Sequence, residues 1–159
     1  MGWAVVPVIS EFGGGVVIAG SLCCPVKTPS QVAIPLYLGK TAAGFPSPAD
    51  DYVEKTLDLN ELCISHPAAT FFVRVEGHSM LGAGIHPDDI LVVDRSLEPV
   101  AGKIVVCALN GELTVKRLEF EDNIWQLKAE NPHYPNIQLH DDINLTVWGV
   151  VTHVIHAVS

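Results

Sequence analysis

The stretch Ile104-Val105-Val106-Cys107-Ala108-Leu109-Asn110-Gly111-Glu112-Leu113-Thr114-Val115-Lys116-Arg117-Leu118-Glu119-Phe120 decides the fold class. Two runs rich in β-branched and apolar residues flank Asn110-Gly111, and Asn-Gly accepts the two positive-φ positions of a type I′ turn. A tight hairpin is predicted. Along its second arm side chains alternate between faces, so Thr114, Lys116 and Leu118 share one face and Leu113, Val115 and Arg117 the other. Alternation does not say which face is covered. An exposed Lys116 is the ordinary reading, because lysine is seldom buried. A covered Lys116 would be chemically different: burial disfavours the ammonium, and a neutral amine can take the proton of a hydroxyl.

Outward from the hairpin the pattern stays β. Residues 70–76 carry Phe71, Phe72, Val73 and Val75, and Ile90-Leu91-Val92-Val93 is a short buried run bounded by acidic residues. Residues 124–129 and 146–158 complete the strands. Many short strands separated by turn signals predict a small, mostly β body of antiparallel strands. The body opens at Gly44-Phe45-Pro46-Ser47-Pro48-Ala49-Asp50-Asp51, where Pro48 and the aspartates suit a helix start and Tyr52-Val53-Glu54-Lys55 its first turns. Asp58-Leu59-Asn60-Glu61-Leu62 reads as a second short helical turn.

Charge separates this body from what precedes it. Residues 1–43 hold only Glu11, Lys27 and Lys40, a net of +1, whereas the rest carries 7 basic and 17 acidic side chains, a net of -10. The glycine run Gly13-Gly14-Gly15 and Pro7, Pro25, Pro29 and Pro35 mark residues 1–43 as an extended arm. Val5-Val6 and Val16-Val17-Ile18 are pieces of it that could dock as strands. A chain of 159 residues with net charge -9 and 48% hydrophobic residues buries a sizeable core. It does not coat DNA or an anionic membrane through bulk charge. No apolar run reaches the length of a membrane span, and no basic residue before Lys27 starts a secretory signal. Cys23, Cys24, Cys63 and Cys107 match no metal or redox spacing, so reduced thiols in a cytoplasmic protein are expected. His153 and His156, three apart on a strand, face opposite sides, and His66, His86, His133 and His140 are scattered in loops. No metal and no cofactor is expected. Trp125 and Trp148 read as core or interface.

Gly77-His78-Ser79-Met80 follows the strand at 70–76 directly. A serine beyond a strand end, beside glycine, can present its hydroxyl and nearby N–H groups to a cleft, although serine near glycine is common in loops. Together with Gly84-Ile85-His86-Pro87-Asp88-Asp89-Ile90-Leu91-Val92-Val93-Asp94 and Gly111-Glu112-Leu113-Thr114-Val115-Lys116-Arg117-Leu118, it resembles the LexA/UmuD self-cleaving serine peptidases. Gly44-Phe45-Pro46-Ser47-Pro48 through Asp58-Leu59-Asn60, and Gly149-Val150-Val151-Thr152-His153-Val154, are similar to the UmuD type, the mutagenesis proteins of the SOS response. The likeness covers residues 44 to about 158.

The resemblance implies a LexA/UmuD-like peptidase body of short, twisted antiparallel strands at 44–159 behind an N-terminal arm, 1–43, that self-cleavage removes. It implies Ser79 as nucleophile, Lys116 as general base, the backbone N–H groups of His78 and Ser79 as oxyanion donors, and Ala43-Gly44 as the bond cut. It further implies a homodimer, stimulation by a RecA filament on single-stranded DNA, and a UmuC-type Y-family polymerase as partner in translesion synthesis. The arm is too short and aperiodic for a helix-turn-helix, so sequence-specific DNA binding is not expected. The alternatives are a non-cleaving polymerase-binding module of the same fold, and a signal-peptidase relative, which the missing membrane segment disfavours.

Overall fold

The computed structural model describes residues 22–23, 34–37 and 53–158. The elements in chain order are β1 (Leu22–Cys23), β2 (Ile34–Tyr37), β3 (Val53–Leu57), α1 (Leu59–Cys63), β4 (Thr70–Arg74), a 3-10 turn (Leu81–Ala83), β5 (Ile90–Asp94), β6 (Ile104–Leu109), β7 (Glu112–Glu121), β8 (Ile124–Lys128), β9 (Ile137–Gln138) and β10 (Leu145–Ile155). The mostly β body expected from the pattern is borne out. The segments Val5-Val6, Val16-Val17-Ile18 and Ala43-Gly44 lie outside the described residues.

The chain divides into two units. The smaller, within residues 26–65, holds the antiparallel pair β2–β3 and α1. Here the structure corrects the helix expected to start at Tyr52-Val53-Glu54-Lys55: Val53–Leu57 is a strand, with Leu57 opposite Ile34 and Lys55 opposite Leu36. A local start signal is worth about 1 kcal/mol, and a partner strand from well upstream outweighs it. The short turn after it is helical as expected. Asp58 caps it, its carboxylate accepting the Asn60 N–H at 2.8 Å.

The larger unit is one antiparallel sheet of eight strands in the order β1-β4-β5-β10-β6-β7-β8-β9. Asn110 and Gly111 join β6 to β7 with φ of 49° and 88°, the two positive values that the turn demands, and Leu109 pairs with Glu112. The central strand β10 pairs with β6 through its first half and with β5 through its second. Its register shifts between Val147 and Gly149 against β6 and between Val151 and His153 against β5. Such bulges bend a strand and raise its twist, which lets one strand serve two neighbours.

Apolar clusters cover both faces. Phe71, Val73, Val75, Met80, Ile85, Leu91, Val93 and Val106 form one, with Val115 packed against it. Val105, Cys107, Leu118, Leu127, Val147 and Val150 form the other. Consecutive residues of β6 therefore enter opposite clusters, and Val105, Val106 and Cys107 are all fully buried. This explains the continuous apolar runs in β5 and β6, since strands covered on both sides lose the polar alternation.

At the end of β5, buried Asp94 accepts hydrogen bonds from the Ser96 hydroxyl at 2.6 Å, the Ser96 N–H at 2.8 Å and His66 Nδ1 at 2.7 Å. Burial pushes its carboxyl up, but the Ser96 hydroxyl, His66 and the Ser96 N–H together outweigh burial and hold it below the ordinary carboxylate range. A depressed folded pKa adds stability that is complete above the unfolded value of about 3.9 and is lost as pH falls through the folded one. Asp94→Asn is expected to cost about 1.5–3 kcal/mol at neutral pH, the worth of hydrogen bonds to a charged group. The deficit should shrink as pH falls below about 4. Urea unfolding of both chains at pH 7 and pH 3 checks this; an equal deficit at both rejects it.

Candidate active site

The serine loop is held from three directions. Beyond β4, the Val75 N–H donates to the Asp89 carbonyl at 2.8 Å, and the Asp88 N–H donates to the Val75 carbonyl at 2.9 Å. Gly77 then turns with φ of 81°. His78 is exposed, Ser79 half-buried and Met80 buried in the first apolar cluster. Met80 anchors the turn, its carbonyl accepting the N–H groups of Ala83 at 3.0 Å and Ile85 at 3.3 Å. From the segment after β8, the Asn131 side-chain amide donates to the His78 carbonyl at 2.7 Å, and the Gly82 N–H donates to the Glu130 carbonyl at 2.6 Å. No side chain fits at Gly82, because a Cβ there would lie 2.6 Å from the Glu130 carbonyl oxygen.

Lys116 lies in β7 opposite Val105, on the face of the second cluster, and is only 7% exposed. The exposed-lysine reading is therefore excluded. Its Nζ lies 3.0 Å from Ser79 Oγ, 3.0 Å from Thr114 Oγ1 and 3.1 Å from the Val115 carbonyl. A neutral amine has two N–H donors and one lone pair. The Val115 carbonyl can only accept, and the Thr114 hydroxyl accepts well, so these two take the donors. In the ammonium form Nζ donates to Ser79 Oγ as well; in the neutral form the lone pair is left for Ser79, whose hydroxyl then donates to it.

The electrostatics favour that state. Burial holds Lys116 below the ordinary lysine range, and a Cys107 thiolate would oppose this. Burial pushes the Cys107 thiol up to about 12, against a smaller pull from Lys116, so below that pH the thiol is uncharged. Among the described residues no carboxylate forms an ion pair with Lys116. The neighbouring Arg117 instead pairs with Glu130 and donates to the Gly102 carbonyl at 2.8 Å. That steadies the segment on which Asn131 sits.

Ser79, 37 residues from Lys116 in sequence, is thus brought against it. His78 contributes its backbone, and its ring is exposed. Asn131 is a residue that sequence reasoning missed; an asparagine in a Pro-containing loop carries no local signal of what it will hold. It borders an open groove of about 530 Å³, lined also by Gly82, Glu130 and Tyr134, beside the serine loop. Of the histidines read as scattered, His66 reaches Asp94 and His86 reaches Asp89; His156, read as a strand residue, lies just past the end of β10 and also reaches Asp89. His153 contacts Thr152 instead. No helix among the described residues is long and apolar enough to cross a membrane.

Comparison with known proteins agrees with this geometry. The Peptidase S24-like family model matches residues 35–152. The protein SamA of Salmonella typhimurium is 47% identical over 135 residues, 85% of this chain and 94% of that protein. The protein ImpA of Escherichia coli is 47% identical over 123 residues, 77% of this chain and 83% of that one. A LexA repressor from Cupriavidus pinatubonensis is 37% identical over 115 residues, 72% of this chain and 52% of the repressor.

Proposed function

The chain belongs to the S24-like peptidases, the LexA/UmuD family of self-cleaving serine peptidases, as a UmuD-type SOS mutagenesis member, and from that premise we propose that it cuts itself between Ala43 and Gly44 with Ser79 and Lys116. The observation that carries this reading is the 3.0 Å contact between the serine hydroxyl and a buried amine that has no carboxylate partner among the described residues. Lys116 accepts the Ser79 proton, and Ser79 Oγ attacks the Ala43 carbonyl carbon. Backbone N–H groups of His78 and Ser79 receive the oxyanion, where fixed donors are worth most. The tetrahedral intermediate collapses, the Ala43–Gly44 C–N bond breaks, and the Lys116 ammonium protonates the departing Gly44 amine. Water then hydrolyses the Ser79 ester and releases residues 1–43. Small side chains on both sides of the bond let the backbone approach the serine closely.

Asn131 has a positioning role in this scheme. The His78–Ser79 peptide is trans, so its carbonyl and N–H point in opposite directions. Anchoring the His78 carbonyl therefore aims the Ser79 N–H. Asn131→Ala is expected to slow cleavage by about 100-fold, the cost of a misplacement of about an ångström, without changing the pH at which the rate levels off. A shifted pH profile with an unchanged plateau rate would assign Asn131 another role.

The family reading extends to biology. The processed chain works as a homodimer in the cytoplasm. A RecA filament on single-stranded DNA stimulates the cut, and the product serves a UmuC-type Y-family polymerase in translesion synthesis. The test is the intact mass of the full-length chain after incubation at about pH 9–10, near the unperturbed lysine pKa, and after incubation with RecA, nucleotide and single-stranded DNA. A fragment beginning at Gly44, absent from Ser79→Ala, is expected. An intact chain under both conditions rejects the proposal and leaves a non-cleaving binding module, and a cut that survives Ser79→Ala rejects Ser79 as the nucleophile.

A further inference from the structure

A second group of side chains converges where β10 ends. Asp89, in the turn before β5, is 2% exposed. His86 lies three residues before it, and His156 follows β10 directly. Asp89 Oδ1 is 2.6 Å from His156 Nδ1, and Asp89 Oδ2 is 3.7 Å from His86 Nδ1. The two imidazoles lie with centroids 4.9 Å apart and planes tilted by 43°. One ligand atom from each residue lies within 4.8 Å of the other two. The carboxylate is fixed by backbone: Oδ2 accepts the His86 N–H at 2.7 Å, and the Asp89 carbonyl accepts the Val75 N–H. Both imidazoles are 46% exposed, so they can adjust and solvent can reach them.

We propose that His86, Asp89 and His156 form a binding site for a divalent transition metal of the zinc class, with two imidazole nitrogens and one carboxylate oxygen as ligands and water completing the shell. Ligand bonds of about 2.1 Å in a tetrahedron put ligand atoms about 3.4 Å apart. One candidate atom from each residue lies within 4.8 Å of the other two, so closure to that spacing needs side-chain shifts of about an ångström. Two nitrogen donors and a single carboxylate suit zinc and its neighbours rather than calcium or magnesium, which take mostly oxygen. The His86 N–H on Asp89 Oδ2 is the outer contact that orients a ligating carboxylate. The metal ties the end of the last strand to the turn that follows the serine loop. The site shares no residue with the Ser79–Lys116 pair and does not depend on its activity.

The test is titration of full-length Ser79→Ala protein with zinc chloride alone, followed by calorimetry and by the imidazole nitrogen resonances. One zinc per chain is expected to shift His86 and His156 and to leave His153 unmoved. His86→Ala and His156→Ala should each weaken binding at least ten-fold, and the double variant should lose one equivalent. His66→Ala should lose none. Zinc taken up elsewhere in the chain remains in the double variant and drops out of the difference. Unshifted His86 and His156 resonances at saturating zinc, or a stoichiometry unchanged in the double variant, overturn the site. The resonance readout on the unsubstituted histidines does not require either variant to fold.

Discussion

Lys116→Arg is expected to leave the chain uncut at every pH that the fold survives. Guanidinium keeps its proton throughout that range, so size and charge are retained while the basic lone pair is lost. Lys116→Ala and Ser79→Ala should match it, with losses on the order of 10⁴–10⁶-fold, as for members of a catalytic unit. In the unsubstituted chain only the neutral amine acts. The cleavage rate should rise about ten-fold per pH unit and level off at the Lys116 pKa, below the ordinary lysine value because the amine is buried. The same burial has a stability consequence of the opposite kind. Below the folded pKa the ammonium is held out of water at full cost. Between the folded and unfolded values the unfolded chain binds more protons, so stability rises with pH. Lys116→Met, which removes the charge and keeps the volume, should therefore unfold at higher urea at neutral pH while being inert. Cleavage by Lys116→Arg, or a rate flat from pH 6 to 10, would end the proposal for the lysine.

The second large effect is on folding. Phe71 is 1% exposed in the first apolar cluster, and the Arg95 guanidinium lies 4.6 Å from its ring centroid. Phe71→Ala should cost about 3–5 kcal/mol, the transfer term plus the cavity left behind. With a urea slope of about 2 kcal/mol per molar, the midpoint drops by about 2 M. Phe120 is the control. It lies on β7, is 48% exposed, and meets Trp125 in a tilted pair at 4.9 Å between centroids. Phe120→Ala should cost about 1 kcal/mol, the worth of an exposed aromatic pair. Equal midpoints for the two variants would mean that the cluster around Phe71 does not organise the sheet. Because β4 leads straight into the serine loop, Phe71→Ala should also slow cleavage, whereas Phe120→Ala should not.

Much of this molecule is written in short-range terms. Asn110-Gly111 specifies its turn because few residue pairs tolerate two positive φ values in succession. The apolar run at 90–93 and the alternation at 112–118 specify strands, and Asp58 specifies a helical cap. The pairing of Ser79 with Lys116 came from a family likeness, since no periodicity links positions 37 apart. What composition and period left open concerned partners distant along the chain. Val53–Leu57 became a strand because Ile34–Tyr37 lies alongside it. Lys116 became a base candidate because the fold covers its face of β7 and lays Ser79, Thr114 and a carbonyl around its nitrogen. Asn131 acquired a role by meeting the His78 carbonyl, and His86 and His156 by meeting one buried carboxylate. Local sterics act within a few residues and can be read there; desolvation and ligand convergence depend on what the rest of the chain brings near, and only the folded sheet supplies that.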